Sequence, residues 1–81
     1  MSRLTDIYAA AYRLPPPAAA VEFQRREAEY RRAGDHVAAG DAERAAAQCI
    51  QAAREAETSR LLREAGMHAE ADRYDRRLAN R

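Results

Sequence analysis

The chain has 81 residues, of which alanine supplies 21, and its 14 arginines and 13 acidic residues leave a net charge of +1. This length predicts one small domain, and the near-balanced, interspersed charges exclude a strongly basic polyanion binder. Cys49 is the single cysteine, which excludes an internal disulfide. We expect a cytoplasmic protein without a leader or membrane anchor, because no signal-peptide core and no apolar run of roughly 18 residues is present.

The first segment predicts a short amphipathic helix over about residues 3–13. Ser2 can cap it, and its apolar residues recur at helical spacing from Leu4 to Tyr12. Pro15-Pro16-Pro17 then ends the helix, because the residue before a proline is pushed out of the α region. Pro17 suits the first turn of the next helix.

The next boundary depends on two glycines, Gly34 and Gly40. Phe23, Tyr30 and Val37 are spaced by sevens, which is typical of a narrow packing seam. A second helix over about 18–39 keeps this seam whole, with Gly40 ending it and Asp41 capping the third helix. A stop at Gly34 is the alternative, since glycine inside a helix costs about 1 kcal/mol relative to alanine.

The remaining sequence predicts a long helix over about 42–65, closed by Gly66, and a final helix over about 67–79. The overall prediction is an all-α fold with one helical domain over residues 1–81. A two-residue turn at Gly40-Asp41 makes the two long helices an antiparallel hairpin. The two short helices then pack at its open end as a small helical bundle. We expect the bulky side chains to gather there: Leu4, Ile7, Tyr8, Tyr12, Phe23, Leu61, Leu62, Tyr74 and Leu78.

An alanine-lined tip is left at the other end of the predicted hairpin. The chain has few large apolar side chains, and a buried methyl stabilises a fold much less than a buried leucine. A second copy adds buried area, so we expect a homodimer and a protein partner, in the role of adaptor, regulator or inhibitor. The predicted partner-binding residues are Val37, Ala38, Ala42, Ala45, Ala46 and Cys49.

The alternative is a small regulatory protein that binds nucleic acid through arginine-rich helix faces, as accessory proteins of plasmids and phages can do. Its predicted residues are Arg25, Arg32, Arg73, Arg76 and Arg77. Acidic residues interleave with these arginines and lower the affinity for phosphate. We expect no enzyme, cofactor or metal, because no metal-ligand spacing, nucleophile motif or phosphate-binding glycine loop is present.

The sequence also contains an internal echo. Arg31-Arg32-Ala33-Gly34-Asp35-His36 is followed 32 residues later by Arg63-Glu64-Ala65-Gly66-Met67-His68. With Tyr30, Gly40-Asp41, Ala45, Cys49 and Ala52, and with residues 61–71, this pattern resembles a tetratricopeptide repeat over about residues 28–78. The resemblance implies paired helices that bind protein without catalysis.

Overall fold

The computed structural model describes residues 3–81, and the predicted Ser2 cap lies outside them. Four helices account for most of this range, and no strand occurs within it. They are α1 (Arg3–Tyr12), α2 (Ala18–Arg32), α3 (His36–Glu64) and α4 (His68–Ala79). The predicted all-α class is confirmed.

The helices at the two ends of the chain lie where the sequence places them. α1 and α4 match the predicted spans to within one residue at each end. α1 stops before the proline triplet, and Pro17 precedes α2 with an extended backbone, at φ −66° and ψ 159°. Strong local signals therefore fix these boundaries, because proline restricts both itself and the residue before it.

The predicted turn at Gly40-Asp41 is wrong. α3 runs without interruption through both residues, and the chain turns instead at residues 33–35. Gly34 has a φ of 79°, the left-handed conformation that glycine adopts without steric cost. The Gly34 amide donates to the Arg31 carbonyl at 3.1 Å and the Asp35 amide to the Tyr30 carbonyl at 2.9 Å. This pair of bonds is a Schellman motif, which satisfies the last carbonyls of α2.

The turn between α3 and α4 repeats the same motif. Gly66 has a φ of 77°. The Gly66 amide donates to the Arg63 carbonyl at 3.0 Å, and the Met67 amide to the Leu62 carbonyl at 2.8 Å. The echo in the sequence therefore corresponds to two equivalent helix ends.

The chain divides into two compact units, and the single domain predicted over residues 1–81 stays a prediction. Unit 1 contains residues 3–14 and 54–81, and unit 2 contains residues 15–53. α3 belongs to both, with residues 36–53 in unit 2 and residues 54–64 in unit 1. The predicted hairpin with two helices over its open end is an arrangement of both units, and it stays a prediction.

Unit 1 is the unit that buries larger apolar side chains. Its core is Ile7, Leu62 and Ala71, with partly buried neighbours at Leu4, Leu61, Ala65, Met67 and Tyr74. The Tyr8 and Tyr74 rings meet edge to face, 6.1 Å apart. Two expected members of this group are placed differently: Tyr12 is 64% exposed, and Phe23 belongs to unit 2. Tyr12 follows the last buried position of α1, Ala11, and its ring lies 4.9 Å from the Arg54 guanidinium instead.

Unit 2 has a different interior. Its buried hydrophobic residues are all alanines: Ala20, Ala39, Ala42 and Ala46. Arg31 near the end of α2 pairs with Glu43 of α3 at 3.2 Å. Small side chains allow helix backbones to approach closely, but each buries little apolar surface.

None of the helices within residues 3–81 combines the length and the apolar character that a membrane span requires.

Candidate functional site

A groove of about 350 Å³ lies within unit 2, lined by residues of α2 and α3. We call it the α2–α3 groove. α2 contributes aromatic and basic side chains, and α3 contributes small side chains and one carboxylate. Its lining residues are Phe23, Arg26, Tyr30, Ala38, Asp41, Ala42 and Ala45.

The structure places the predicted partner-binding residues in four environments. Ala38, Ala42 and Ala45 line the groove, Ala46 is buried, Val37 is 78% exposed, and Cys49 is half-buried.

Two of the predicted residues do not form an exposed surface. Ala42 and Ala46 are buried within the chain, at 6% and 4% exposure. The expectation of a bare alanine face is wrong at these two positions. With the turn at Gly34, residues 36–41 extend α3 backwards, so Ala39, Ala42 and Ala46 fall on its inner face at helical spacing.

The aromatic wall of the groove was not predicted as a site. Phe23 is half-buried and Tyr30 is 39% exposed. The Arg26 guanidinium lies 5.8 Å from the centre of the Phe23 ring, and its Nε lies 3.4 Å from a Glu22 carboxylate oxygen. The spacing of seven between Phe23 and Tyr30 was the available signal, but it is equally typical of a buried seam.

The charges around the groove are largely paired. Asp41 pairs with Arg44, and Arg31 pairs with Glu27 at 2.8 Å and with Glu43 at 3.2 Å. The hydrogen bond to Glu27 is the main cause that raises the pKa of the Arg31 guanidinium. The groove therefore offers aromatic and small apolar surface beside nearly neutral polar groups.

A second surface cavity, of about 450 Å³, lies on α4 in unit 1. It is lined by Glu70, Arg73, Arg76, Arg77 and Asn80. The structure thus brings together three of the five arginines predicted for nucleic acid. We call Arg73, Arg76, Arg77 and Asn80 the α4 arginine face.

The carboxylates of α4 are paired with arginines of α3 and of α4 itself. Arg63 of α3 pairs with Asp72 at 3.1 Å and with Asp75 at 2.7 Å. The hydrogen bond from Arg63, followed by one from Ser59, holds the pKa of the Asp75 carboxyl below its usual range. Glu70 pairs with Arg73.

The other two predicted arginines lie on α2, in unit 2. Arg25 lies between Glu22 and Glu29, with its Nη1 2.7 Å from a Glu29 oxygen. The hydrogen bond to Glu22 is the largest cause that raises the pKa of Arg25. Arg32, the last residue of α2, is exposed. The structure does not gather these two around a cavity.

In the part of the chain that the structure describes, no cysteine or histidine lines either of the two cavities. Within residues 3–81, no group of three or more His, Cys, Asp or Glu side chains is placed to hold a metal ion. Cys49 is a free, half-buried thiol, and His36 and His68 are exposed at the starts of α3 and α4.

Comparison with protein-family models, curated proteins and solved structures finds no match to this chain.

Proposed function

We propose that this protein is a small, non-enzymatic protein–protein interaction module of the cytoplasm, which self-associates through the α2–α3 groove. In this role it serves as an adaptor, regulator or inhibitor of a larger partner. The free thiol of Cys49 is in keeping with a reducing compartment.

One observation carries the proposal: unit 2 buries alanine and leaves three of its large apolar residues exposed. Val21, Tyr30 and Val37 are 53%, 39% and 78% exposed. Burying a large apolar side chain contributes about 1.5–3 kcal/mol. The single chain leaves these side chains in water, so a partner that covers them adds this stabilisation.

The composition of the groove also supports a protein partner. Aromatic side chains and arginine are enriched at the buried centres of protein interfaces, and Phe23, Arg26 and Tyr30 supply both types. Arg26 on α2 and Asp41 on α3 carry opposite charges, so a second copy related by a two-fold axis can set each against its opposite in exchange for Glu22 and Arg44. The resemblance to a tetratricopeptide repeat implies the same class of function.

The test is the mass in solution, measured by light scattering across the micromolar range. We expect the wild-type chain to have twice its 9.1 kDa monomer mass. Ala45→Glu places a charged side chain in the groove and is expected to give the monomer.

The matched control is Ala47→Glu, which adds the same side chain at an exposed position of the same helix. We expect it to remain dimeric. A wild-type mass equal to that of the monomer at tens of micromolar would overturn self-association. If both variants lost the dimer equally, the α2–α3 groove would not be the site of self-association.

A further inference from the structure

The α4 arginine face has a spacing suited to a linear charged ligand. Arg73, Arg76 and Arg77 stand at positions i, i+3 and i+4 of one helix, and Asn80 follows three residues after Arg77. Arg76 and Arg77 are therefore each a neighbour of Arg73 on the helix surface, with Cβ atoms about 5–6 Å apart. All four side chains are exposed, and all four line one cavity.

The face has an excess of positive charge, because Asp72 and Asp75 are engaged elsewhere and Glu70 pairs with only one of the three arginines. Arg63 pairs with both Asp72 and Asp75, and Glu70 pairs with Arg73. Within residues 3–81, no carboxylate lies within ion-pair distance of Arg76 or Arg77. Two guanidinium groups therefore remain available to a ligand, and a third is held by the half-buried Glu70.

The two available guanidinium groups are also partly ordered. Arg77 lies over the Tyr74 ring, 5.9 Å from its centre, and the Arg76 Nε donates to the Asp72 carbonyl at 3.4 Å. A side chain that is already restrained loses less conformational entropy when it binds.

We propose that the α4 arginine face binds the phosphodiester backbone of a nucleic acid, without reading its sequence. Arg76 and Arg77 contact phosphates, Asn80 adds a neutral donor, and Arg73 joins them when it leaves Glu70. A guanidinium fork matches phosphate oxygens bidentately. This site shares no residue with the α2–α3 groove, so it stands independently of the function proposed above.

A phosphodiester backbone fits this face better than an acidic protein does. Arg73 and Arg76, three residues apart, are separated by about 4.5 Å along the helix axis, since each residue rises about 1.5 Å. A nucleic acid strand carries one charge per about 3.4 Å, so neighbouring phosphates can meet Arg73 and Arg76 once Arg73 leaves Glu70. Amide side chains such as that of Asn80 are also common phosphate donors.

The test is fluorescence anisotropy with a labelled short duplex DNA and a labelled single-stranded RNA, repeated at several salt concentrations. With two phosphates neutralised, the affinity for duplex DNA is expected to fall about tenfold between about 50 and about 200 mM salt. In the Arg76→Gln variant the fall is expected to be about threefold, because one contact fewer releases fewer counterions. The relative affinity for the DNA and RNA probes identifies the preferred backbone.

Glu70→Gln provides the opposite change. It frees Arg73, so we expect tighter binding and a fall of about fortyfold over the same salt range, as for three phosphates. Its control is Glu43→Gln, which also removes one negative charge and one arginine partner, but in unit 2. This control is expected to leave the salt dependence as in wild type.

The control for Arg76→Gln is Arg25→Gln, which removes the same charge from an arginine held by two glutamates. We expect wild-type salt dependence. Circular dichroism establishes that each variant folds, as expected for exposed positions. The proposal is overturned if neither nucleic acid binds at about 50 mM salt, if a polyglutamate peptide binds as tightly, or if Arg25→Gln weakens binding as much as Arg76→Gln does.

Discussion

The two turns of the chain, at Gly34 and Gly66, have the same backbone and different surroundings. Each glycine has a positive φ, 79° in the first and 77° in the second. Each turn has the same pair of bonds back to the preceding helix, at 2.8–3.1 Å. The two differ in the residue after the glycine, which is Asp35 in the first turn and Met67 in the second.

That one residue decides how each turn is held. The Asp35 carboxylate accepts from the Ala38 amide at 3.1 Å and so caps α3. Met67 forms no side-chain cap for α4, but it packs against the core of unit 1, which contains Leu62. An apolar contact of this kind frequently accompanies a Schellman motif. The first turn is therefore held by polar bonds at the surface and the second by burial.

The same contrast extends to the two units. Leu62 is 1% exposed and is the one large side chain among the described residues that is fully buried. In unit 2 the buried hydrophobic residues are alanines. Stability should therefore depend on large side chains in unit 1 and on backbone and surface groups in unit 2. Three sets of variants test this difference.

The largest effect is expected from Leu62→Ala. Truncation of a fully buried leucine costs about 2–5 kcal/mol, since burial is lost and a cavity remains. Urea denaturation followed by circular dichroism measures the loss. The control is Gln48→Ala in unit 2, at an exposed position of α3 outside the α2–α3 groove, which should change the free energy of unfolding by less than about 0.5 kcal/mol. Similar losses in both variants would contradict the contrast between the units.

Replacement by alanine should lower the stability of the protein at two of the three glycines and raise it at the third. No atom lies within 4 Å of a Cβ added at Gly34 or Gly66, so the cost is that of the left-handed backbone, about 1–2 kcal/mol each. Gly40 lies inside α3, where an added Cβ meets only the end of the Arg44 side chain at 3.7 Å. Gly40→Ala should therefore stabilise the protein by about 0.5–1 kcal/mol.

The midpoint of thermal unfolding is a suitable measurement for these three variants. The sign at Gly40 is the decisive result, because a turn at Gly40 would make its alanine variant destabilising. Stabilisation by Gly34→Ala would equally contradict the observed turn.

The smallest effect concerns the cap of α3. Asp35→Ala removes the acceptor for the Ala38 amide and should cost about 1 kcal/mol. Asp35→Asn keeps an acceptor and should recover most of this loss. The matched control is Asp41→Ala, where the aspartate lies on the exposed surface of α3 and pairs with Arg44. A change within about 0.5 kcal/mol is expected there, and a larger loss at Asp41 than at Asp35 would reverse the assignment of the cap.

Parts of the candidate sites were predictable because they depend on local spacing. Arg73, Arg76 and Arg77 share one face of any helix that contains them. Ala38 and Ala45, seven residues apart, likewise share one face of a helix. The ion pairs of Arg63 with Asp72 and Asp75 connect α3 to α4. The spacing of residues within a single helix does not predict ion pairs between two helices.

The sequence by itself determined the four helices, the boundaries set by the prolines, and the equivalence of the two segments that became turns. These features depend on residues close together in the chain. The position of the first turn is different, because Gly-Asp occurs twice, at residues 34–35 and at residues 40–41.

Both dipeptides offer a residue suited to a left-handed backbone and a carboxylate suited to cap a helix. Their local chemistry is the same, so it could not select between them. A turn at Gly34 extends α3 to His36, and Ala39, Ala42 and Ala46 become buried while Val37 stays at the surface. Only the packing of α3 within the folded chain decided the choice, because it depends on contacts between residues distant in sequence.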